Sequence, residues 1–242
     1  MTSPASSATV VLVHGAFADA SSWSRVVSRL SAADVSAVAP VNPLRGLTSD
    51  GEYIASVVAQ IDGPVLLVGH SYGGPVITYA SAKAANAKGL VFVASFGVDQ
   101  GESTLGSNEA FPPAELDSSL LPRTYPVAKE TGTEFYIQPE RFHSVFCADL
   151  PDDEAAVLAV SQRPAADVAF GEPLAVEPGW KRLPSWFVVA GADHAINPDA
   201  ERAAAKRMGS TVTEIASGSH AIALTHADEV ARVIVGALGE IR

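Results

Sequence analysis

Val65-Leu66-Leu67-Val68 is an uninterrupted aliphatic run that stops at Gly69-His70-Ser71-Tyr72-Gly73-Gly74, a serine fenced by glycines. Four aliphatic residues without alternation read as a strand buried on both faces, which is the mark of a parallel sheet covered by helices. The Gly69-X-Ser71-X-Gly73 spacing that follows predicts a sharp strand-to-helix turn. Such a turn drives its serine into strained backbone angles, and glycine two residues to either side lets the neighbouring backbone come close. The serine hydroxyl is then held out at the end of the strand, above the amino end of the next helix.

The rest of the chain alternates in the same way around this strand. Thr9 to Val13 is a β-branched run that leads into His14-Gly15-Ala16-Phe17, and Ser21 and Ser22 offer N-caps to a helix carrying Trp23, Val26, Val27 and Leu30 on one stripe. Val35 to Ala39 reads as a short strand. A proline- and glycine-set loop follows over residues 40–46, and Ser49 or Asp50 can cap a helix through Tyr53, Ile54, Val57, Val58 and Ile61. Beyond the serine, Pro75 falls in a first helical turn, the alanine-rich stretch from Val76 to Ala85 is helix-prone, and Leu90 to Ala94 is the next strand. The alternation then breaks. Residues 97–182 are rich in Pro, Asp, Glu and Ser, with short helical patches at 141–146 and 152–161. It resumes with a strand from Trp186 to Ala190, a helix near 198–208, a strand from Thr211 to Ile215 and a closing helix near 228–238. Strands separated by helices predict an α/β fold, with a mostly parallel central sheet and helices on both faces. The expected organisation is one core built from 1–96 and 183–242. Segment 97–182 is then a mainly helical cap inserted over the carboxyl ends of the strands, where open α/β sheets place their ligands.

A chain of 242 residues buries roughly three quarters of its unfolded surface, enough for a single core of this kind. The 27 acidic against 16 basic residues leave a formal net charge of −11, which argues against nucleic acid or an anionic membrane as a partner. No apolar run approaches the roughly 20 residues a membrane span needs, and Met1 to Ser7 lacks the pattern of a secretory signal. The expectation is a soluble, cytoplasmic protein with a frayed amino end. Cys147 is alone, so there is neither a disulfide framework nor a thiol metal site, and burial as a small apolar residue is its expected role.

A serine hydroxyl is a poor nucleophile until a base accepts its proton and a third group orients that base. Ser217-Gly218-Ser219-His220 is a loop directly after the strand ending at Ile215, which makes His220 the candidate base. Asp193 stands three residues past the strand ending at Ala190 and is the candidate orienter, with Asp99 as second choice. Ser71, Asp193 and His220 are candidate catalytic residues in an order expected for this kind of sheet. Backbone amides of Tyr72 and Ala16 are candidate oxyanion donors, with Gly15 keeping the approach open and Phe17 lining the pocket. His14 is read as shaping that loop and His70 as structural or pocket-shaping. His194 and His226 read as polar caps. His143, between Phe142 and Phe146, is either solvated or touches substrate.

His14-Gly15-Ala16-Phe17 with Trp23, the Gly69–Gly74 stretch, Gly191-Ala192-Asp193 with Ile196 and Pro198, and Gly218-Ser219-His220 together resemble the α/β-hydrolase superfamily. Within it the chain is most similar to the small plant methylesterase and hydroxynitrile lyase group and its bacterial esterase relatives. The lyases of that group carry a threonine where this chain has Gly15 and a lysine where it has Ala221, so the resemblance implies hydrolysis of a small neutral carboxylic ester through an acyl-enzyme. It implies no metal and no cofactor. The same scaffold also accommodates a hydroxynitrile lyase or carbon–carbon bond hydrolase, a cofactor-free oxygenase relying on His220 and Asp193, or a non-catalytic protein that binds a small ligand. Phe142, His143, Phe146 and Trp180 are the cap residues expected to set substrate choice. Oligomeric state is left open, with a homodimer among the options.

Overall fold

The computed structural model describes residues 8–241, so the stretch from Met1 to Ser7 expected to fray lies outside the described residues. The centre is a six-stranded sheet of β1 (Thr9–Val13), β2 (Ala37–Val38), β3 (Val65–Ser71), β4 (Ala87–Ser95), β8 (Ser185–Ala190) and β9 (Thr211–Ile215), in the order β2-β1-β3-β4-β8-β9 with every pair parallel. The serine-bearing strand β3 lies between β1 and β4, with all seven of its residues buried.

The unbroken aliphatic runs are explained by two separate cores, one on each face of the sheet. Val11, Val13, Val65, Leu67, Leu90 and Phe92 pack against α2 (Leu47–Ala59) and α3 (Gly73–Lys83) through Ile54, Val58, Val76 and Ile77. Val10, Leu12, Leu66, Val68, Val91 and Val93 point the other way, onto Trp23, α1 (Ser24–Ala32) and α10 (Ala227–Glu240). Successive residues of each strand therefore enter opposite cores, and neither face can accept a polar side chain without losing burial.

Several local expectations shift. Ser21 and Ser22 sit inside a 3-10 turn, Ala20–Trp23, and the capping is done by Asp19, whose carboxylate accepts the Ser21 N–H at 2.7 Å. Asp50 is not a helix cap. It is buried within the first turn of α2, where its carboxylate accepts the amides of Arg45 and Gly46 and the hydroxyl of Tyr72. The helix α8 (Pro198–Met208) begins as the sequence predicts, with the Asn197 side chain accepting the Asp199 N–H.

Between β4 and β8 the chain forms α4 (Thr104–Asn108), a hairpin of β5 (Leu120–Val127) and β6 (Glu130–Ile137), α5 (Pro139–Phe146), α6 (Asp152–Val160), β7 (Ala165–Ala166) and α7 (Asp167–Gly171). Both helical patches read from the sequence are present as α5 and α6, whereas the three-stranded antiparallel sheet β5-β6-β7 was not expected. Pro122 and Pro126 argue against a strand only in the middle of a sheet. On the edge strand β5 their missing N–H groups cost no ladder hydrogen bond. This segment lies on the loops at the carboxyl ends of the strands. Phe17 N–H donates to Arg163 O, Ala166 N–H to Leu44 O, Ala221 N–H to Phe146 O and Leu116 N–H to His194 O, at 2.9–3.2 Å.

Cys147 is buried, and burial pushes its thiol up to about 12. Among the described residues no helix is long and apolar enough to cross a membrane, and no cluster of side chains is suited to a metal ion.

Candidate active site

Ser71 is the last residue of β3, and its φ of 52° places it in the left-handed region that a non-glycine residue adopts only under constraint. The constraint is visible on both sides. A Cβ on Gly69 would lie 2.5 Å from the Gly73 carbonyl oxygen, so the helix α3 can fold back onto the strand only over a glycine. From the neighbouring strand, Ser95 Oγ donates to Ser71 O at 2.6 Å, pinning the turn where the β3–β4 register shifts. The next residue is anchored as well. The Tyr72 ring is fully buried and its hydroxyl donates to Asp50 Oδ2 at 3.0 Å.

The loop after β1 reaches Ser71 from the other side. A Cβ on Gly15 would sit 2.6 Å from Ser71 Cβ and 2.9 Å from His70 O, so a bare backbone is required there. His14 organises this loop. Its Nε2 accepts the Asn42 N–H at 2.9 Å, so the proton is on Nδ1 and is donated to Gly15 O, while Asn42 Nδ2 donates to His14 O. Burial holds His14 down to about 4, which keeps the ring neutral in that role. Ala16 is buried, and no loop or turn hydrogen bond among the described residues engages the N–H of Ala16 or of Tyr72. Phe17 has a φ of 63°, and its ring stacks on Phe170 with centroids 6.2 Å apart.

The structure brings Asp193 and His220 together. His220 Nδ1 lies 2.6 Å from Asp193 Oδ2, and both side chains are buried. Asp193 Oδ1 accepts the amides of Ala195 and Ile196 at 2.6 and 2.9 Å, which fixes the carboxylate in place. The two loops are tied to each other, because Ala192 N–H donates to Gly218 O at 3.0 Å. His70 joins this pair to the serine turn. Its Nε2–H donates to His220 O at 2.8 Å and the two rings are 4.7 Å apart. Burial, and next the neighbouring His220, hold His70 well below the ordinary histidine value, so it is a neutral strut and not a second base. No side-chain hydrogen bond joins Ser71 to His220 among the described residues. Such contacts are often long in ligand-free sites and tighten on binding.

Phe146 presents its edge to His220 at 5.0 Å and to His70 at 6.3 Å, and Phe142 stacks behind it. Phe17, Phe142 and Phe146 together wall a narrow cleft of about 20 Å³ between the β1 loop and the β4–β8 segment. His143 does not reach this cleft. Its Nε2 is bonded to Leu150 O at 2.9 Å and its Nδ1 lies 3.2 Å from Asp152, so both ring nitrogens serve its own loop. Trp180 is also elsewhere, with its Nε1–H donated to Val98 O. Asp99 is an ion-pair partner of Lys181 at 2.7 Å, whose ammonium holds the carboxyl below its usual range, and it makes no bond to His220. His194 faces Glu115, and His226 lies between Asp149 and Glu229.

Two groups at the site escape sequence reasoning. Asp149 accepts both the N–H and the hydroxyl of Ser219, bracing the residue before His220. It sits in a short irregular stretch with no period or motif to mark it. Asn42, which locks His14, lies in the proline loop and is equally unmarked.

With this geometry in place, residues 10–233 match the model of the alpha/beta hydrolase family, and the chain belongs to that family. It is 25% identical to the alpha/beta hydrolase nvfD of Aspergillus novofumigatus over 253 residues, covering 96% of each chain. Among solved structures it is similar to polyneuridine aldehyde esterase, with a TM-score of 0.82 and 20% identity over 96% of this chain and 99% of that one. It is also similar to a pyrethroid hydrolase from Sphingobium faniae JZ-2, with a TM-score of 0.76 and 19% identity over 96% and 97% of the two chains. At these identities the structural likeness establishes the fold, the α/β-hydrolase architecture.

Proposed function

We propose that the chain is a serine hydrolase that cleaves a small neutral carboxylic ester through an acyl-enzyme. The observation that carries this reading is the buried 2.6 Å pair of His220 and Asp193, tied through His70 to the strained turn that bears Ser71. His220 Nδ1–H is donated to Asp193, which leaves Nε2 unprotonated and able to accept a proton. In the first half-reaction His220 Nε2 takes the Ser71 hydroxyl proton as Oγ bonds to the ester carbonyl carbon. The negative charge collects on the carbonyl oxygen, toward the N–H groups of Ala16 and Tyr72. Asp193 stabilises the imidazolium. The carbon–oxygen bond to the alcohol then breaks as His220 returns the proton to it. In the second half-reaction a water molecule repeats these steps on the acyl-enzyme, releasing the acid and restoring Ser71.

Segment 97–182 acts as the cap, and the Phe146 ring set 5.0 Å from His220, with Phe142 stacked on it, supports an uncharged acyl or alcohol group at that edge. Gly15 and Ala221 bear on the choice against cyanide-releasing chemistry, because no threonine or lysine stands at those positions to hold a cyanohydrin or a departing cyanide. Likeness in fold to an esterase and to a pyrethroid hydrolase supports the same direction. The test is a hydrolysis screen over p-nitrophenyl esters of increasing acyl length, with a cyanohydrin in parallel. Activity on short esters that drops about 10⁴-fold or more in Ser71→Ala is expected, since triad members act as a unit. Wild-type rates in Ser71→Ala, or activity on the cyanohydrin alone, would overturn it.

A further inference from the structure

Glu201 lies on α8 behind the Asp193 loop and is fully buried, a state that glutamate almost never adopts without a partner. No ion pair among the described residues includes it. Its Oε2 accepts the Ala190 N–H at 3.1 Å, at the end of β8 and three residues before Asp193. Its Oε1 is buried with no donor, and the charge that bears most on its carboxyl is that of Asp193, three residues past the amide it holds. Two carboxylates buried so cannot both be ionised, because like charges at short range in a low dielectric repel strongly. One proton must lie between them.

The donors decide where it resides. Asp193 already accepts Ala195 N–H, Ile196 N–H and the His220 ring, whereas Glu201 accepts a single amide. The anion belongs on the carboxyl with three donors. We infer that Glu201 is a positioning residue that carries a proton and donates it to Asp193, supplying the fourth hydrogen bond that holds the Asp193 carboxylate against His220. Burial, and then the charge of Asp193, push the Glu201 carboxyl well above its ordinary value, in the same direction. The charged groups that bear on Glu201 are Asp193 from the β8–α8 loop, with His220 beyond it, and Arg202 on α8, whose guanidinium is drawn outward to Glu214 and Asp199. The role of the pair in turnover rests on the function proposed above. The protonation of Glu201 does not.

Neutral Glu201 is a donor to Asp193. Its ionisation at high pH removes that donor, adds a second negative charge to the pocket and misplaces the carboxylate that orients His220. Turnover should therefore fall on the alkaline side in a way that Glu201→Gln abolishes, because the amide remains a neutral donor at every pH. Glu201→Leu, which fills the space without donating, should lower kcat about tenfold, the usual effect of losing one hydrogen bond to a charged group, with KM nearly unchanged. Glu201→Gln should restore most of that loss.

Two readouts test this. The first is the infrared carbonyl band of a buried protonated carboxyl at neutral pH, expected in the wild-type protein and absent from Glu201→Gln. Its absence from the wild type overturns the proposal whatever reaction the protein performs. The second is the pH profile of kcat for the wild type and both variants. An alkaline limb retained unchanged in Glu201→Gln, or a Glu201→Leu enzyme with wild-type kcat, overturns the positioning role. If Glu201→Leu fails to fold, the band and the Glu201→Gln profile decide. If Ser71→Ala stays active while the band is present, the ester-hydrolase reading fails and the proton assignment stands.

Discussion

The turn that carries Ser71 and the hairpin of β5 and β6 lie in the same chain, yet they are held by opposite means. Every residue of β3 is buried, its two faces enter separate cores, and the turn at its end is fixed by glycine contacts that leave no room for a methyl group. The hairpin is largely half-buried or exposed, and its segment reaches the site through a handful of contacts: Phe142 and Phe146 as a wall, Asp149 and the Phe146 and Arg163 carbonyls as struts. Position is therefore set by the sheet, and under the proposed function the segment shapes what can approach. A substitution at the sheet's carboxyl edge should stop the chemistry, whereas one in the segment should retune it or do nothing.

After removal of the Ser71 hydroxyl itself, the largest expected effect follows from the loop after β1. Gly15→Ala places a methyl carbon 2.6 Å from Ser71 Cβ and 2.9 Å from His70 O, both in rigid surroundings, so the loop must move away from the serine. A loss of about 10²-fold or more in kcat/KM is expected, comparable to losing an oxyanion donor. Near-normal turnover in a folded Gly15→Ala protein would show that the edge is softer than described.

Buried and half-exposed histidines extend the contrast to pH. His14 titrates at about 4 and His70 is likewise held low by burial, whereas in the unfolded chain both take up protons near 6.5. The unfolded state thus binds more protons as the pH falls. The stability these neutral rings contribute is complete above pH 6.5 and is lost as the pH falls toward 4. Thermal unfolding followed from pH 7 to 4 should show a steadily falling Tm. A midpoint that is flat or rising over that window would contradict the neutral-strut assignment.

The smallest effect is expected in the segment. His143 spends both ring nitrogens on Leu150 O and Asp152, so His143→Ala should leave kcat/KM on short esters within about threefold of wild type, as for most substitutions away from a site. A tenfold or larger loss would mean that the segment carries part of the chemistry.

The same division decided what could be read from the sequence. The core was legible because β1, β3, β4 and β8 announce themselves by aliphatic runs, and because Asp193 and His220 follow β8 and β9 in the chain. The elbow spacing located Ser71 for the same reason. In the segment these signals fail. Pro122 and Pro126 hide an edge strand, and β6 mixes Glu, Thr and Gly with Phe and Tyr, so no period emerges. The neighbours Phe142 and Phe146 hinted at a wall, but whether His143 turned in or out depended on Leu150 and Asp152, which lie past the end of α5. Glu201 escaped notice as one acidic residue among charged neighbours on an amphipathic helix. Only the fold shows that it is fully buried and holds the Ala190 amide at the end of β8.

The proposed ester hydrolysis requires that Ser71 be an activated nucleophile at the rigid edge of the sheet. Treatment with a fluorophosphonate, followed by mass analysis of the peptides, reads this directly. Stoichiometric modification at Ser71, absent from Ser71→Ala and slowed strongly in Asp193→Asn, is the predicted result. An unmodified Ser71 in a folded protein that still hydrolyses esters, or modification at another residue with matching loss of activity, would contradict it.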